Sequence, residues 1–410
     1  MSQSHSEALL KRDWRLFTLL TFLFSFGFAI YSGVFQNFLR DVLHAGPQQL
    51  GNMESMREIP GLLAALMAGT LVALAESRVA GLGLLVTAIG IGLSGFMGSY
   101  AGLVCITVFW SVGFHLYATV SPAITLALAK GLEGGRHLGR MNGVGATATL
   151  IALAVATFTA RFFKGIPYKA YFVLGGAAIA VGAILCMRLS SHAEGAPRSR
   201  LIIRKEYGLY YFLIFLEGCR RQIFSIFASF ALILVYKVPL ENMLILQFVN
   251  AIMITFTAPA MGRYIDRRGE RRPLTMYSVG LILVFFGYAS MHNVYALYGL
   301  FLIDNVLFSF SVGFTTYLHR IVRPGELTPC LAMGTTMNHI AAVTVPCTGA
   351  WLWNHYHNYQ IPFWVGVGIA FVALIANQWL PKESATPAPD PELFADQVQE
   401  DEVLARTERV

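Results

Sequence analysis

Twelve runs of about 18–25 apolar residues, parted by short polar breaks, fill most of this 410-residue chain. Their approximate bounds are 14–38, 48–75, 80–98, 101–128, 139–162, 168–189, 207–236, 240–262, 273–291, 294–318, 329–354 and 361–381. A hydrocarbon core ~30 Å thick takes about 20 helical residues to cross, so each run has the length of a membrane span. Closed β-barrels also cross membranes, but their strands alternate apolar and polar residues in segments of about ten, and these runs are continuous. The expected fold is all-α, a polytopic membrane protein of twelve transmembrane helices.

A composition that is 56% hydrophobic and only 13% charged excludes an ordinary soluble domain. The first run, from Trp14, is longer than a signal-peptide core and lacks a cleavage site, so it is expected to stay as a span. The net charge of +7 does not point to nucleic acid, because the basic residues sit in short loops. Placing the N-terminus in the cytoplasm puts 20 Lys/Arg on that side and 5 on the other, the bias expected when both termini face inward, in an inner membrane. The five cysteines form no CxxC pair and no metal-ligand spacing, and all five are expected as buried thiols, with no metal site. No phosphate-cradling loop or catalytic triad occurs, so an enzyme, a cofactor and an ATP-driven pump are all unexpected.

Residues 190–206 form the longest internal polar stretch and fall at the midpoint. They divide a cytoplasmic N-terminus (1–13) and a first six-helix half (14–189) from a second half (207–381), with an acidic, disordered cytoplasmic tail at 382–410. The halves echo each other. Met141-Asn142 opens the fifth run and Met337-Asn338 the eleventh, 196 residues apart, which suits two parallel six-helix repeats around a central cavity.

Between the eighth and ninth runs stands Gly262-Arg-Tyr-Ile-Asp266-Arg267-Arg-Gly269-Glu-Arg271-Arg. Gly262 allows close helix approach and Gly269 a tight turn, while Asp266 has Arg267 and Arg271 in reach and can cap the next helix. This stretch resembles the cytoplasmic loop motif of the major facilitator superfamily, and with twelve spans, a central linker and inward termini the resemblance covers nearly the whole chain. It implies alternating access by rocking of the halves, with Gly262, Asp266, Arg267, Gly269 and Arg271 as a cytoplasmic gate motif. The matching first-half stretch, Gly69 to Arg78, has Ala73 in place of the aspartate and Glu76 in place of the second glycine. The fourth run lacks the arginine that proton-coupled members often carry, and the fifth lacks the Gly-Pro pattern resembling drug antiporters.

Charges within apolar runs are costly, about 2.5–3.5 kcal/mol each at the centre of a lipid-facing helix, so they mark a cavity or each other. Glu54, Arg57 and Glu58 share one helix face, as do Glu217, Arg220 and Arg221. The second cluster lies near mid-membrane and the first nearer the outer surface. Arg220 and Arg221 are expected to bind an anionic solute, because a planar guanidinium stays charged and grips carboxylate or phosphate with two bonds. Gln222 and Asn338 would orient that solute. Glu217, Glu58 and Asp304, with His339 and His115, are candidates for proton coupling or charge balance, and Asp304 needs Arg220 or Arg221 as a partner. Glu54 and Arg57 would form an outer cluster or gate, with Glu54 open to exposure at a loop end. The competing account is a set of ion pairs that merely latch the halves together.

The resulting expectation is a monomeric secondary transporter of a small, anionic solute, with proton coupling as an option and the lipid bilayer as its other partner. A cation or amphipathic-drug exporter, with the acids doing the binding, is the alternative. A non-transporting sensor or scaffold is a third.

Overall fold

A computed structural model describes residues 3–66, 76–129, 134–163, 165–190, 203–323 and 326–381. The described residues contain helices and no strand. Six helices come before the midpoint: α1 (Gln3–Asp41), α2 (Pro47–Leu66), α3 (Glu76–Ser94), α4 (Tyr100–Leu128), α5 (Gly134–Phe162) and α6 (Tyr168–Cys186). Beyond it, α7 (Gly208–Gln222) and α8 (Ser229–Leu234) are joined by a π-helical segment, Ile223–Ala228, into one column. Then come α9 (Leu240–Arg268) and α10 (Arg271–Ser290). A 3-10 turn at Ser309–Ser311 joins α11 (Val294–Phe308) to α12 (Val312–Ile321), and α13 (Leu327–Tyr356) and α14 (Ile361–Ala376) complete the chain. Among the described residues these make the twelve columns that the apolar runs predict. Most of the expected linker (191–202), the Gly69–Ala73 stretch and the acidic tail lie outside the described residues.

Among the described residues, nine columns are long and apolar enough to cross a membrane. The three that fall outside this set are α2, α7–α8 and α13. They are the ones that carry Glu54, Arg57 and Glu58, then Glu217, Arg220 and Arg221, and then Asn338 and His339. Charge, polar content or the π-helical break removes each of them from the apolar class, so the helices least suited to lipid hold the candidate site.

Apart from α2 and α13, which pack most heavily on each other, helices α1 to α6 pack chiefly on one another, and so do α7 to α14. Within the first group, α1 crosses α6 at two facing glycines. A Cβ at Gly27 would lie 2.3 Å from the Gly175 carbonyl oxygen, so only glycine permits this approach. Three seams join the groups: α2 on α13, α5 on α9, and α1 against α8 and α9. On the first, a Cβ at Gly51 would meet Ala350 Cβ and Pro346 O at 2.3 Å.

The hydrogen bonds that cross between the groups, among the described residues, fall between the middle of the molecule and the side away from the N-terminus. Arg40 donates to Ile233 O (2.7 Å), in the last turn of α8, and to Val238 O (3.1 Å), in the connection to α9. Asn37 reaches Val238 O at 3.5 Å, Gln247 reaches Gly33 O at 3.4 Å, and the Cys347 amide donates to Ser55 Oγ at 3.0 Å. The far side is therefore the sealed one.

Two cysteines depart from expectation. Cys186, Cys219 and Cys330 are buried, but Cys105 and Cys347 are exposed on the bundle surface, because their helix faces point outward. A thiol on an apolar helix can face outward from the bundle as readily as inward.

Candidate functional site

A cavity of about 770 Å³ lies between the two groups, bounded by α1, α2, α4, α7, the π segment, α8, α9, α11 and α13. Both charged clusters reach it. Glu54, Arg57 and Glu58 come from one wall, and Arg220, Arg221 and Asp304 from the other. The first cluster is thus part of the same chamber as the second. Glu54 is 8% exposed, so the expected loop-end exposure is corrected; the α2 turn faces it inward.

Each cluster is neutralised mostly from its own side. Arg57 pairs with Glu54 at 2.7 Å and Glu58 at 2.8 Å, and its guanidinium lies 5.9 Å from the Trp110 ring centre. Arg220, 3% exposed, donates to both Asp304 oxygens at 3.0 Å and to Glu217 Oε1 at 2.9 Å. Tyr277 fills the other Glu217 oxygen, donating at 2.7 Å. The sequence offers no sign that Tyr277 belongs to the site, since a tyrosine in an apolar helix looks the same whether it packs or bonds.

Arg220 and Arg221 are adjacent and so point about 100° apart around the helix. Asp304 and Glu217 both accept from Arg220, which also lines the chamber. Arg221 is exposed to the cavity, stacks on Phe308 at 5.4 Å, and has no acid partner among the described residues. Gln222 and Asn338 also line the chamber. Gln36 Oε1 is sheltered there with no hydrogen-bond partner among the described residues, an acceptor the sequence did not single out.

Where the walls meet, His339 on α13 has Nδ1 3.1 Å from Glu58 Oε2, and His115 on α4 has Nε2 3.8 Å from the same oxygen. Of the five residues expected to serve proton coupling or charge balance, Glu58, His115 and His339 thus meet in one place, while Glu217 and Asp304 stand on Arg220. Gly61 makes room for it: a Cβ there would lie 2.3 Å from His115 Nε2 and 2.4 Å from His339 Cε1.

The gate motif occupies the last turns of α9 and the connection to α10. Gly269 has φ +69°, the left-handed conformation that a tight turn needs. Gly262 has open space beside its Cβ position, so it mediates no close approach. Asp266 is exposed, and no side-chain bond caps α10. The acid that is buried instead is Glu270, which accepts from Arg320 of α12 at 2.9 Å, while Arg271 donates to Gln378 at 3.1 Å.

The model of the Major Facilitator Superfamily matches residues 17–328. The chain belongs to the Major Facilitator Superfamily. Major facilitator folds recur among solved structures similar to it. The crystal structure of a mutant of the nucleoside transporter NupG aligns with a TM-score of 0.74 at 14% identity, covering 89% of this chain and 98% of that one. A D-xylose-proton symporter aligns with a TM-score of 0.72 at 14% identity, covering 92% and 99%. A bacterial homologue of the iron transporter ferroportin, in its inward-facing state, aligns with a TM-score of 0.72 at 15% identity, covering 92% and 99%. No curated protein matches the sequence. As a major facilitator protein this chain is a multi-pass, non-enzymatic membrane transporter of a small molecule, and its chamber lies between the two groups of helices.

Proposed function

We propose that this transporter moves a small solute bearing an anionic group by alternating access, the two six-helix halves rocking about the central chamber. Arg221 carries this reading. It is a guanidinium that lines the chamber without an acid partner among the described residues, whereas Arg57 and Arg220 are each held by two acids. A guanidinium grips carboxylate or phosphate through two parallel bonds, and Phe308 lies against it. Gln222, Asn338 and the unfilled Gln36 acceptor would orient the remainder of the solute. A recess of about 700 Å³ between α1 and α5, on the N-terminal side, is lined by Arg15 and Arg140, which favours the approach of anions. The nucleoside, xylose and iron cargoes of the structural neighbours share no charge, so the fold leaves this choice to the chamber.

The Lys/Arg excess in alternate loops supports a plasma-membrane orientation with both termini on the cytoplasmic side. With the far side sealed, the chamber then faces inward, the state named for the ferroportin homologue. The Gly269 turn and the Glu270–Arg320 tie would belong to the gate that closes that side. Proton coupling falls to Asp304 in this scheme, since a proton there would release one arm of Arg220. Flux driven by an imposed pH gradient, and lost in Asp304→Asn, is its expected sign.

The direct test melts purified protein against small carboxylates, phosphates and sulfonates beside nucleosides and pentoses, since a ligand raises the midpoint by mass action. An anionic member should stabilise the wild type, and Arg221→Ala should lose that response while its ligand-free midpoint stays unchanged. Stabilisation by neutral compounds alone, or an undiminished response in Arg221→Ala, would overturn the assignment.

A further inference from the structure

Glu58, His115 and His339 have a geometry that goes beyond solute binding at Arg221 and does not depend on it. One ligand atom from each lies within 4.8 Å of the others. Donors about 2.0–2.1 Å from a tetrahedral zinc ion stand about 3.4 Å apart. The two distances to Glu58 Oε2, 3.1 Å from His339 Nδ1 and 3.8 Å from His115 Nε2, bracket that spacing.

Two of the donors are also oriented from behind. Arg57 holds Glu58 by Oε1 at 2.8 Å, which leaves Oε2 for the histidines. His115 Nδ1 stands 2.9 Å from the Ser111 carbonyl, and a proton donated there leaves the lone pair on Nε2, facing Glu58. The His115 and His339 rings meet edge to face with centres 5.1 Å apart, in space that the missing Cβ of Gly61 provides. Arg57 stands next to the site, but Glu54 matches its charge at 2.7 Å, so Glu58 gives the trio a net negative charge.

We propose that Glu58, His115 and His339 bind a divalent transition-metal ion of the class that takes imidazole and carboxylate ligands, such as Zn²⁺ or Co²⁺. Two ligands come from the first group of helices, on α2 and α4, and one from the second, on α13. The bound ion therefore staples the groups together in the form with the far side sealed. It cannot keep all three ligands once α13 moves away from α2.

The test titrates untagged, chelator-treated full-length protein in detergent with Co²⁺, read by its visible absorption, and follows with Zn²⁺ competition. One equivalent per chain is expected to bind. His115→Ala, His339→Ala and Glu58→Gln should each weaken binding more than about tenfold, and His355→Ala, at an exposed histidine, should bind as wild type. Zn²⁺ should raise the melting midpoint of the wild type and not that of His339→Ala. The metal-free melt of each variant shows whether it is folded, and His339→Gln replaces His339→Ala where the latter fails to melt cooperatively. No binding by folded wild type, or equal binding by the three site variants, would refute the site. Retention of binding in a folded His339 variant alone would refute the staple.

Discussion

At the scale of single residues, two neighbouring arginines have opposite surroundings. Arg220 is a structural counter-ion: two carboxylates face it, and its Nε is buried with no acceptor among the described residues. Removing it leaves Asp304 and Glu217 as uncompensated charges in a medium that cannot solvate them, which costs about 3–5 kcal/mol. Arg220→Ala is expected to lower the thermal midpoint of the purified protein well below that of Arg221→Ala, and a smaller shift in Arg220→Ala would contradict the assignment. The sequence put both arginines in the right helix beside the right acid, because charges in apolar runs are rare enough to stand out. It could not say which one Asp304 takes, since that depends on how α7 is rotated against α11, 84 residues further on. Gly61 was equally hidden. Its role follows from two rings on other helices, and nothing beside it in the chain marks it.

At the scale of elements, the π segment after Gln222 adds a wide turn where the chamber wall needs Gln222 and Phe224 facing inward, while Arg220 stays turned toward α11. Such insertions often mark functional stretches of helices, and no apolar periodicity discloses them. The α2–α13 seam was also absent from the sequence pattern, although both helices were legible as spans. Their contact follows from Gly51 and from the Cys347 amide bonded to Ser55 at 3.0 Å. Substituting Gly51→Val should therefore push α2 off α13, and the thermal midpoint of the purified protein is expected to fall. A midpoint equal to that of the wild type would mean the seam is not closed in this way. At the linker's end, Arg204 and Tyr207 hold the Glu326 carboxyl below its usual range, Arg204 donating at 2.6 Å. That tie is complete above the ordinary glutamate pKa and fades as the pH falls through the lowered one, although its exposure to solvent keeps it weak.

For the whole molecule, hydropathy disclosed the architecture because twelve spans in lipid leave few alternatives to a helical bundle. The conformational state was not disclosed. A carrier must hold more than one arrangement with the same apolar faces, so the sealed side is visible only in contacts such as Arg40 on the Ile233 and Val238 carbonyls. The pairing of each buried arginine within its own half has a further effect during biosynthesis. Arg57 finds both its acids within one turn of α2, and Arg220 finds Glu217 and Asp304 on helices that follow the midpoint. Each half can thus enter the bilayer without drawing on the other for the partners of its buried arginine, and the first half need not wait at the translocon for the second to be translated. A gene cut within residues 191–202 and expressed as two fragments should yield partners that co-purify from the membrane at levels within a few-fold of the intact chain. Loss of both fragments in each other's presence would show that insertion depends on an unbroken chain, with each half relying on the other before either is complete.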